Sequence, residues 1–375
     1  MNQREYFGEN RITYLKNIFE SENPKKTFLV TGNKSYNDSG AKQAIEHLLD
    51  SYSLTHFQIS TSHLELNDIL KGLSFFDDDC GLVAAVGGGS IIDAAKSINI
   101  FSAQDGEPIE YLSKDKIIDK KGLPLVAIPT TAGSGSEATH FAVVYVNGIK
   151  YSLAHDFLLP NYSIIDPKFV RSMPKNVAAN SGIDAFCQAI ESYWSINSTE
   201  GSRLYSKRAI ELILENFVGS VNNPSLSSRK AMVRASNLAG KAINIAKTTA
   251  CHALSYNFTS QFNIPHGQAV ALTISPMLEY NAGVTSLDYN DKRGSSYVVS
   301  SIRDLCFMFG VSSPEEASNI INCIINNVGL ETDVTKLGID IEEIRNIIDS
   351  VNQERLNNNP RKFKNKDTLE KLFIS

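Results

Sequence analysis

The sequence predicts two domains, an α/β domain over residues 1–173 followed by an all-α domain over residues 174–375. Three observations carry this expectation. Short apolar, β-rich runs alternate with helical stretches through the first half. Glycine- and hydroxyl-rich turns follow two of those runs, at the strand ends where open α/β sheets bind ligands. From Asn176 onward the pattern is almost entirely helical, and 375 residues exceed what one ordinary core holds.

Taken in order, Thr27–Val30 reads as a strand, followed by Thr31-Gly-Asn-Lys and a helix near Ala41–Asp50. His56–Ile59 and Leu66–Phe75 form the next strand and helix. Leu82–Val86 runs into Gly87-Gly-Gly-Ser90, and Leu125–Ile128 runs into Pro129-Thr-Thr-Ala-Gly-Ser-Gly-Ser-Glu137. Asn147-Gly148 between two β-rich runs predicts a hairpin. After Met173-Pro174, helices are expected over Asn176–Tyr193, Thr199–Phe217 and Ser228–Ser260. Breaks fall at Asn222-Asn-Pro-Ser and Ser312-Ser-Pro-Glu.

Composition narrows the function. A content of 42% hydrophobic and 21% charged residues is that of a globular protein. No apolar run is long enough to span a membrane, and the N-terminus lacks the apolar core of a signal peptide. The net charge of −5 argues against a nucleic-acid surface. Five cysteines without CxxC spacing fit a reducing cytoplasm, with Cys187 and Cys251 expected as small buried hydrophobes.

Two chemistries stand out. The turn Gly87–Ser90 between a strand and a helix exposes backbone amides to which a pyrophosphate can come close, and Ser90 is placed to cap the helix. The hydroxyls of Thr130, Thr131 and Ser136 offer further bonds to a nucleotide. In the helical half, Cys251–Gly267 holds two of the seven histidines, His252 within a helical run and His266 in a Pro-His-Gly turn. Two imidazoles want a carboxylate to complete a divalent metal site. Asp184 in Gly182-Ile-Asp-Ala is the candidate, with Gln188 four residues on and so on the same helix face.

These motifs together resemble the iron-containing (group III) alcohol dehydrogenases. Gly87-Gly-Gly-Ser-Ile-Ile-Asp93-Ala-Ala-Lys96, Pro129–Glu137, Gly182-Ile-Asp-Ala and Pro265-His-Gly267 occur in that family's order, over about Tyr6 to Arg361. Within the family, Lys150-Tyr-Ser-Leu-Ala, Glu191–Thr199, Lys247–Tyr256 and Asn358-Asn-Pro-Arg361 are similar to the phosphonoacetaldehyde reductases, or hydroxyethylphosphonate dehydrogenases. The resemblance implies the dehydroquinate synthase-like fold, with a nucleotide-binding domain, a helical metal- and substrate-binding domain and a cleft between them. It implies that Gly87, Gly88, Gly89, Ser90 and Asp93 belong to the pyrophosphate motif, that Thr130, Thr131 and Ser136 line the cofactor, and that Lys150 lies near the nicotinamide ribose. The implied metal ligands are Asp184, Gln188, His252 and His266, holding Fe2+ or Zn2+. Gln188 stands where the family has histidine, and Tyr256 where a further histidine is usual, so weakened metal binding is expected. A metal-free site, with Gln188 and Tyr256 polarising the carbonyl, stays open.

At Gly32-Asn33, where the family often carries aspartate, no carboxylate stands, so NADPH is expected to be accepted alongside NADH. Lys247, Thr248, Arg361 and His140 are the substrate candidates, with Arg203 as a further cation. Lys247 and Thr248 are expected on the helix of His252. The expected activity is reduction of phosphonoacetaldehyde, with His252 and Tyr256 catalytic and Tyr256 a proton source. A general primary-alcohol or lactaldehyde-type dehydrogenase and a degraded nucleotide-binding protein are the alternatives. Expected partners are a small aldehyde or alcohol and a second copy in a homodimer, with neither nucleic acid nor membrane, in the cytoplasm.

Overall fold

A computed structural model describes residues 3–61, 63–351 and 353–373. The chain divides into two compact units, Met1–Pro174 with Ser225–Asn237, and Lys175–Pro224 with Leu238–Ser375. This differs from a single cut after residue 173. Ser225–Asn237 is helical, yet its side chains bond to the first unit. Arg229 donates to the Met173 carbonyl, Arg234 to Glu5 Oε1 and Asn237 to Glu137 Oε1.

The first unit is built on a six-stranded sheet. Its strands are β1 (Arg4–Phe7), β2 (Lys26–Gly32), β3 (Leu54–Ile59), β4 (Cys80–Gly87), β5 (Leu125–Pro129) and β8 (Tyr162–Ile165), in the order β1-β8-β5-β4-β2-β3. Every neighbouring pair is parallel. Alternation along the strands feeds two cores. Phe28, Val30, Val83 and Ala85 belong to one, and Leu29, Leu82, Ala84 and Val86 to the other. β1 and β8 lack the apolar runs that mark the inner strands: each is four residues long, and β1 reads Arg-Glu-Tyr-Phe.

The strand order locates a ligand crevice. The chain moves from β2 outward to β3, then β4 returns to the other side of β2. Connections diverge at the β2–β4 boundary, and such switch points open a crevice at the carboxyl ends of the strands. A separate hairpin, β6 (Phe141–Val146) and β7 (Ile149–Ala154), turns at Asn147 and Gly148, both at positive φ.

The second unit is helical. Lys175–Trp194 packs against Glu200–Asn222, and His266–Ala282 packs against both Lys175–Trp194 and Ala250–Phe262. The expected helix Ser228–Ser260 is two helices, Leu226–Ala246 and Ala250–Phe262. Lys247 takes a left-handed conformation, φ 61°, which ends the first of them as a glycine would. No described helix is long and apolar enough to cross a membrane.

Two glycines of this unit separate space from flexibility. A Cβ at Gly182 would overlap the Phe217 ring, whereas Gly219, in the helix Glu200–Asn222, has open space around it. Gly182→Ala should therefore lower unfolding free energy by about 1–3 kcal/mol through overpacking. Gly219→Ala should raise it by about 0.5–1 kcal/mol through helix propensity. Denaturant melts of the two variants check this, and equal effects would contradict it.

Candidate functional site

The crevice of the first unit is lined by the turns the sequence singled out. Gly32 ends β2, Gly87 ends β4, and Thr130 follows β5, its amide bonded to the Gly87 carbonyl at 3.0 Å. Gly88 is the N-cap of the helix Gly89–Phe101, and no side chain caps it. Ser90 lies inside the helix rather than at its cap. The turn therefore offers an uncapped helix N-terminus to an anion. Side chains on Gly88 or Gly89 would press on Thr131 and Ser134. The Thr130 hydroxyl oxygen is buried without a hydrogen-bond partner among the described residues. Bare glycines, an uncapped helix and an orphaned hydroxyl fit a dinucleotide's phosphates. Asn33 is exposed and begins a short helix, and no carboxylate accompanies it at the β2 turn.

Not all expected cofactor residues face a ligand. Ser136 donates to Asp93 Oδ1 and accepts from Lys96 Nζ at 3.0 Å. Asp93 also accepts the Val143 amide at 3.0 Å, and Lys96 donates to the Thr139 and Phe141 carbonyls, both at 2.8 Å. Asp93 and Ser136 are thus tied into a buried network that anchors the glycine loop to the hairpin. Burial pulls the Lys96 ammonium down to about 8, against the pull of Asp93 and Glu137, while burial pushes the Asp93 carboxyl up. Lys150 sits on β7 opposite Tyr145, within electrostatic reach of Asp93. His140 packs its ring on Phe141.

In the second unit, Asp184, His252 and His266 come together, one ligand atom from each lying within 4.8 Å of the others. His252 Nε2 is 3.3 Å and His266 Nε2 3.8 Å from Asp184 Oδ1. Pro265 is the N-cap and His266 the first residue of its helix, which brings the imidazole to the Lys175–Trp194 helix. Gly267 permits that approach, since a Cβ there would overlap the Asn180 carbonyl oxygen. Gln188 Nε2 donates to Asp184 Oδ2 at 3.0 Å, and Gln188 Oε1 is buried without a partner among the described residues. A carboxylate, two imidazoles and an orphaned amide oxygen form a donor set that suits Zn2+ or Fe2+. Cys187 and Cys251 are buried, and burial pushes both thiols well up, so they are inert fillers here.

Sequence reasoning missed Glu191. It follows Asp184 by seven residues, so it lies on the same helix face. It is completely buried. Its Oε1 accepts the Thr249 amide at 3.0 Å, the Cys251 amide at 2.9 Å and the Thr249 hydroxyl at 2.6 Å. Its Oε2 accepts from His252 Nδ1, which turns Nε2 toward Asp184 Oδ1. Burial pushes both carboxyls up, but the imidazoles and these hydrogen bonds outweigh it and hold Glu191 and Asp184 below the ordinary range. Burial pulls His252 down, and Glu191 with Asp184 lifts it above the usual imidazole value.

The substrate candidates separate. Lys247 and Thr248 lie in the break between helices, not on the helix of His252, because Lys247 has left the helical region. Lys247 is exposed and Thr248 buried. Tyr256 stacks on His266 with ring centroids 6.3 Å apart. Arg361 is engaged elsewhere, donating to Asp288 Oδ2 at 2.9 Å and to the Tyr280 carbonyl at 2.5 Å. Arg203 is held by Asp304, Tyr297 and Ser301 and lies over the Tyr193 ring. Trp194 is core, its indole donating to Thr249 Oγ1 at 2.9 Å.

A parallel α/β unit with a glycine-lined switch point and a helical unit with a carboxylate–imidazole cluster define a two-unit class of ligand-binding protein. The chain belongs to the iron-containing alcohol dehydrogenase family. The profile "Iron-containing alcohol dehydrogenase" matches residues 2–167, and "Fe-containing alcohol dehydrogenase family, C-terminal" matches residues 178–374. Long-chain-alcohol dehydrogenase 1 of Geobacillus thermodenitrificans is 38% identical over 54% of this chain and 52% of its own. The chain thus spans about half the length of that relative. The phosphonoacetaldehyde reductase of Streptomyces viridochromogenes is 30% identical over 78% of this chain and 75% of its own. The structure of sulfoacetaldehyde reductase from Bifidobacterium kashiwanohense in complex with NAD+ superposes with a TM-score of 0.87 at 26% identity, covering 99% of this chain and 96% of that one.

Replacing Glu191 with glutamine keeps the volume but removes the charge that orients His252. Affinity for Zn2+, measured by competition with a chelator, should fall about 10- to 100-fold with the fold retained. An unchanged affinity would show that Glu191 does not support the cluster.

Proposed function

We propose that the chain is an NAD(P)H-dependent aldehyde reductase that converts phosphonoacetaldehyde to 2-hydroxyethylphosphonate. The observation that carries this is the convergence of Asp184, His252 and His266, with Tyr256 stacked against His266. Family membership and the 30% identity to a phosphonoacetaldehyde reductase support the activity and the substrate. The glycine turns at the sheet's switch point support a nicotinamide dinucleotide, and the absence of a carboxylate at Gly32-Asn33 supports use of NADPH as well as NADH.

When bound, the nicotinamide would supply the hydride and a divalent ion would supply Lewis-acid polarisation of the carbonyl. The chain's own residues do the rest. Asp184, His252 and His266, with Gln188 Oε1, would hold the ion. Glu191 fixes the His252 tautomer so that Nδ1 carries the proton and Nε2 faces inward. Burial, reinforced by Glu191 and Asp184 against Arg355 and Thr248, pushes the Tyr256 phenol up. It therefore keeps its proton through neutral pH and can deliver it to the product oxygen.

Two measurements test this. Rates with phosphonoacetaldehyde, acetaldehyde and propanal, at equal cofactor and metal, should favour the phosphonate by at least about 100-fold in kcat/KM. Equal rates would return the chain to the general alcohol dehydrogenases that its 38% identical relative represents. Tyr256→Phe should lower kcat by about 100-fold or more while KM changes little. Unchanged kinetics would remove Tyr256 from proton delivery.

A further inference from the structure

Lys96 closes the glycine motif Gly87–Lys96, yet neither its position in the sequence nor the dinucleotide crevice gives it a role. Its side chain is fully buried, and burying an ammonium is costly. It lies about two helical turns beyond the bare glycines, in the helix Gly89–Phe101. Asp93 Oδ1 is 3.9 Å from its Nζ, too far for a hydrogen bond. The short contacts go instead to the chain beyond the loop Pro129–Gly135. Nζ donates to Ser136 Oγ at 3.0 Å, to the Thr139 carbonyl at 2.8 Å and its Oγ1 at 3.1 Å, and to the Phe141 carbonyl at 2.8 Å.

These contacts join three pieces of the crevice to one helix. The loop Pro129–Gly135 is held at its start by the Thr130 amide on the Gly87 carbonyl. Its far end is held at Ser136, which Lys96 and Asp93 share. Phe141 begins β6, and the Val143 amide donates to Asp93 Oδ2, so the hairpin hangs from the same pair. The other strand of that hairpin, β7, carries Lys150. An apolar side chain of similar length would fill the space of Lys96 without the cost of burying a charge, so stability alone does not account for the ammonium. The ammonium adds direction, since its donors fix two carbonyls and two hydroxyls in place. The loop holds Gly133 and Gly135, and glycine loses much conformational freedom on ordering. A loop fixed before binding spares the ligand that entropy.

We propose that Lys96 is a positioning residue for the dinucleotide, holding the Pro129–Gly135 loop and the β6–β7 hairpin ready for the ligand without touching it. This rests on the nicotinamide-dinucleotide reading given above and adds the residue that preorganises that site. The glycines at the start of the motif leave room for the phosphates, and the lysine at its end orders the loop across from them.

The test titrates NADH, NADPH and AMP into the wild type, Lys96→Met, Lys96→Arg and Thr139→Val, and follows hydrogen–deuterium exchange in the ligand-free proteins. Lys96→Met should weaken NADH and NADPH binding by about 10-fold or more. AMP, which lacks the nicotinamide half, should change by less than about 3-fold. Exchange should rise over residues 130–143 and stay unchanged in the helical unit. Lys96→Arg, which keeps charge and donors, should restore part of the affinity. Thr139→Val removes one buried hydroxyl contact of Lys96 and should shift binding the same way by a smaller factor; it decides the matter if Lys96→Met does not fold. If the wild type binds NADH or NADPH and the folded variants bind it as tightly, the proposal is overturned while the dinucleotide reading stands. Equal losses for AMP and NADH, without a local rise in exchange, make Lys96 merely structural and also overturn it. A wild type that binds neither NADH nor NADPH defeats the dinucleotide reading, and the proposal with it.

Discussion

One buried carboxylate holds the candidate centre together. Glu191 is completely buried and receives the Thr249 amide, the Thr249 hydroxyl, the Cys251 amide and His252 Nδ1. A charge so placed is tolerable only because both of its oxygens find donors. Two of those donors are backbone amides at the start of the helix Ala250–Phe262, so Glu191 does for that helix what an N-cap side chain would do. The same side chain therefore decides where the helix begins and which nitrogen of His252 looks toward Asp184.

The break before that helix follows from the same contacts. Ser195, four residues beyond Glu191, donates to the Ala246 carbonyl at 2.6 Å and so caps the end of the preceding helix. Lys247 then turns through a left-handed conformation, and Thr249 is gripped by Glu191 and Trp194. Thr248 is left buried in the turn, its hydroxyl accepting from Arg355 and its carbonyl from Asn358. A helix running unbroken through residues 247–249 would carry Thr248 on its own surface and would leave Glu191 without its amides. The polar side chains of Lys175–Trp194 thus shape a loop that belongs to a different part of the sequence.

Much of this was legible in the sequence, and the exceptions have physical causes. Strands β2, β4 and β5 showed as apolar runs, the first two ended by glycine, because both faces of a parallel sheet are buried. The edge strands β1 and β8 did not show, since four residues carry too little pattern. Asp184, His252 and His266 were found through residue type and motif order, and the fold brings them together. Glu191 was passed over because a glutamate in an apolar helical run announces no partner until Thr249 and His252 are placed. The break at Lys247 was hidden because a lysine rarely adopts positive φ, so helical periodicity ran straight across it. Arg361 was put forward as a substrate cation because a C-terminal Asn-Asn-Pro-Arg shows no partner in sequence. Only tertiary structure reveals that Asp288 takes its guanidinium. Asp93 and Ser136, motif residues by position, are tied to one another and to Lys96, a linkage that their spacing does not announce.

Asp184, Gln188, His252 and His266, with Glu191 behind them, would act as one metal-binding centre. Crystals of the protein grown with Zn2+ or, anaerobically, Fe2+ and measured across the metal's absorption edge test it most directly. An anomalous peak is expected about 2.0–2.3 Å from Asp184, His252 Nε2 and His266, with the Gln188 amide oxygen turned toward it. A metal found elsewhere, or no peak among these residues at saturating metal, would contradict it.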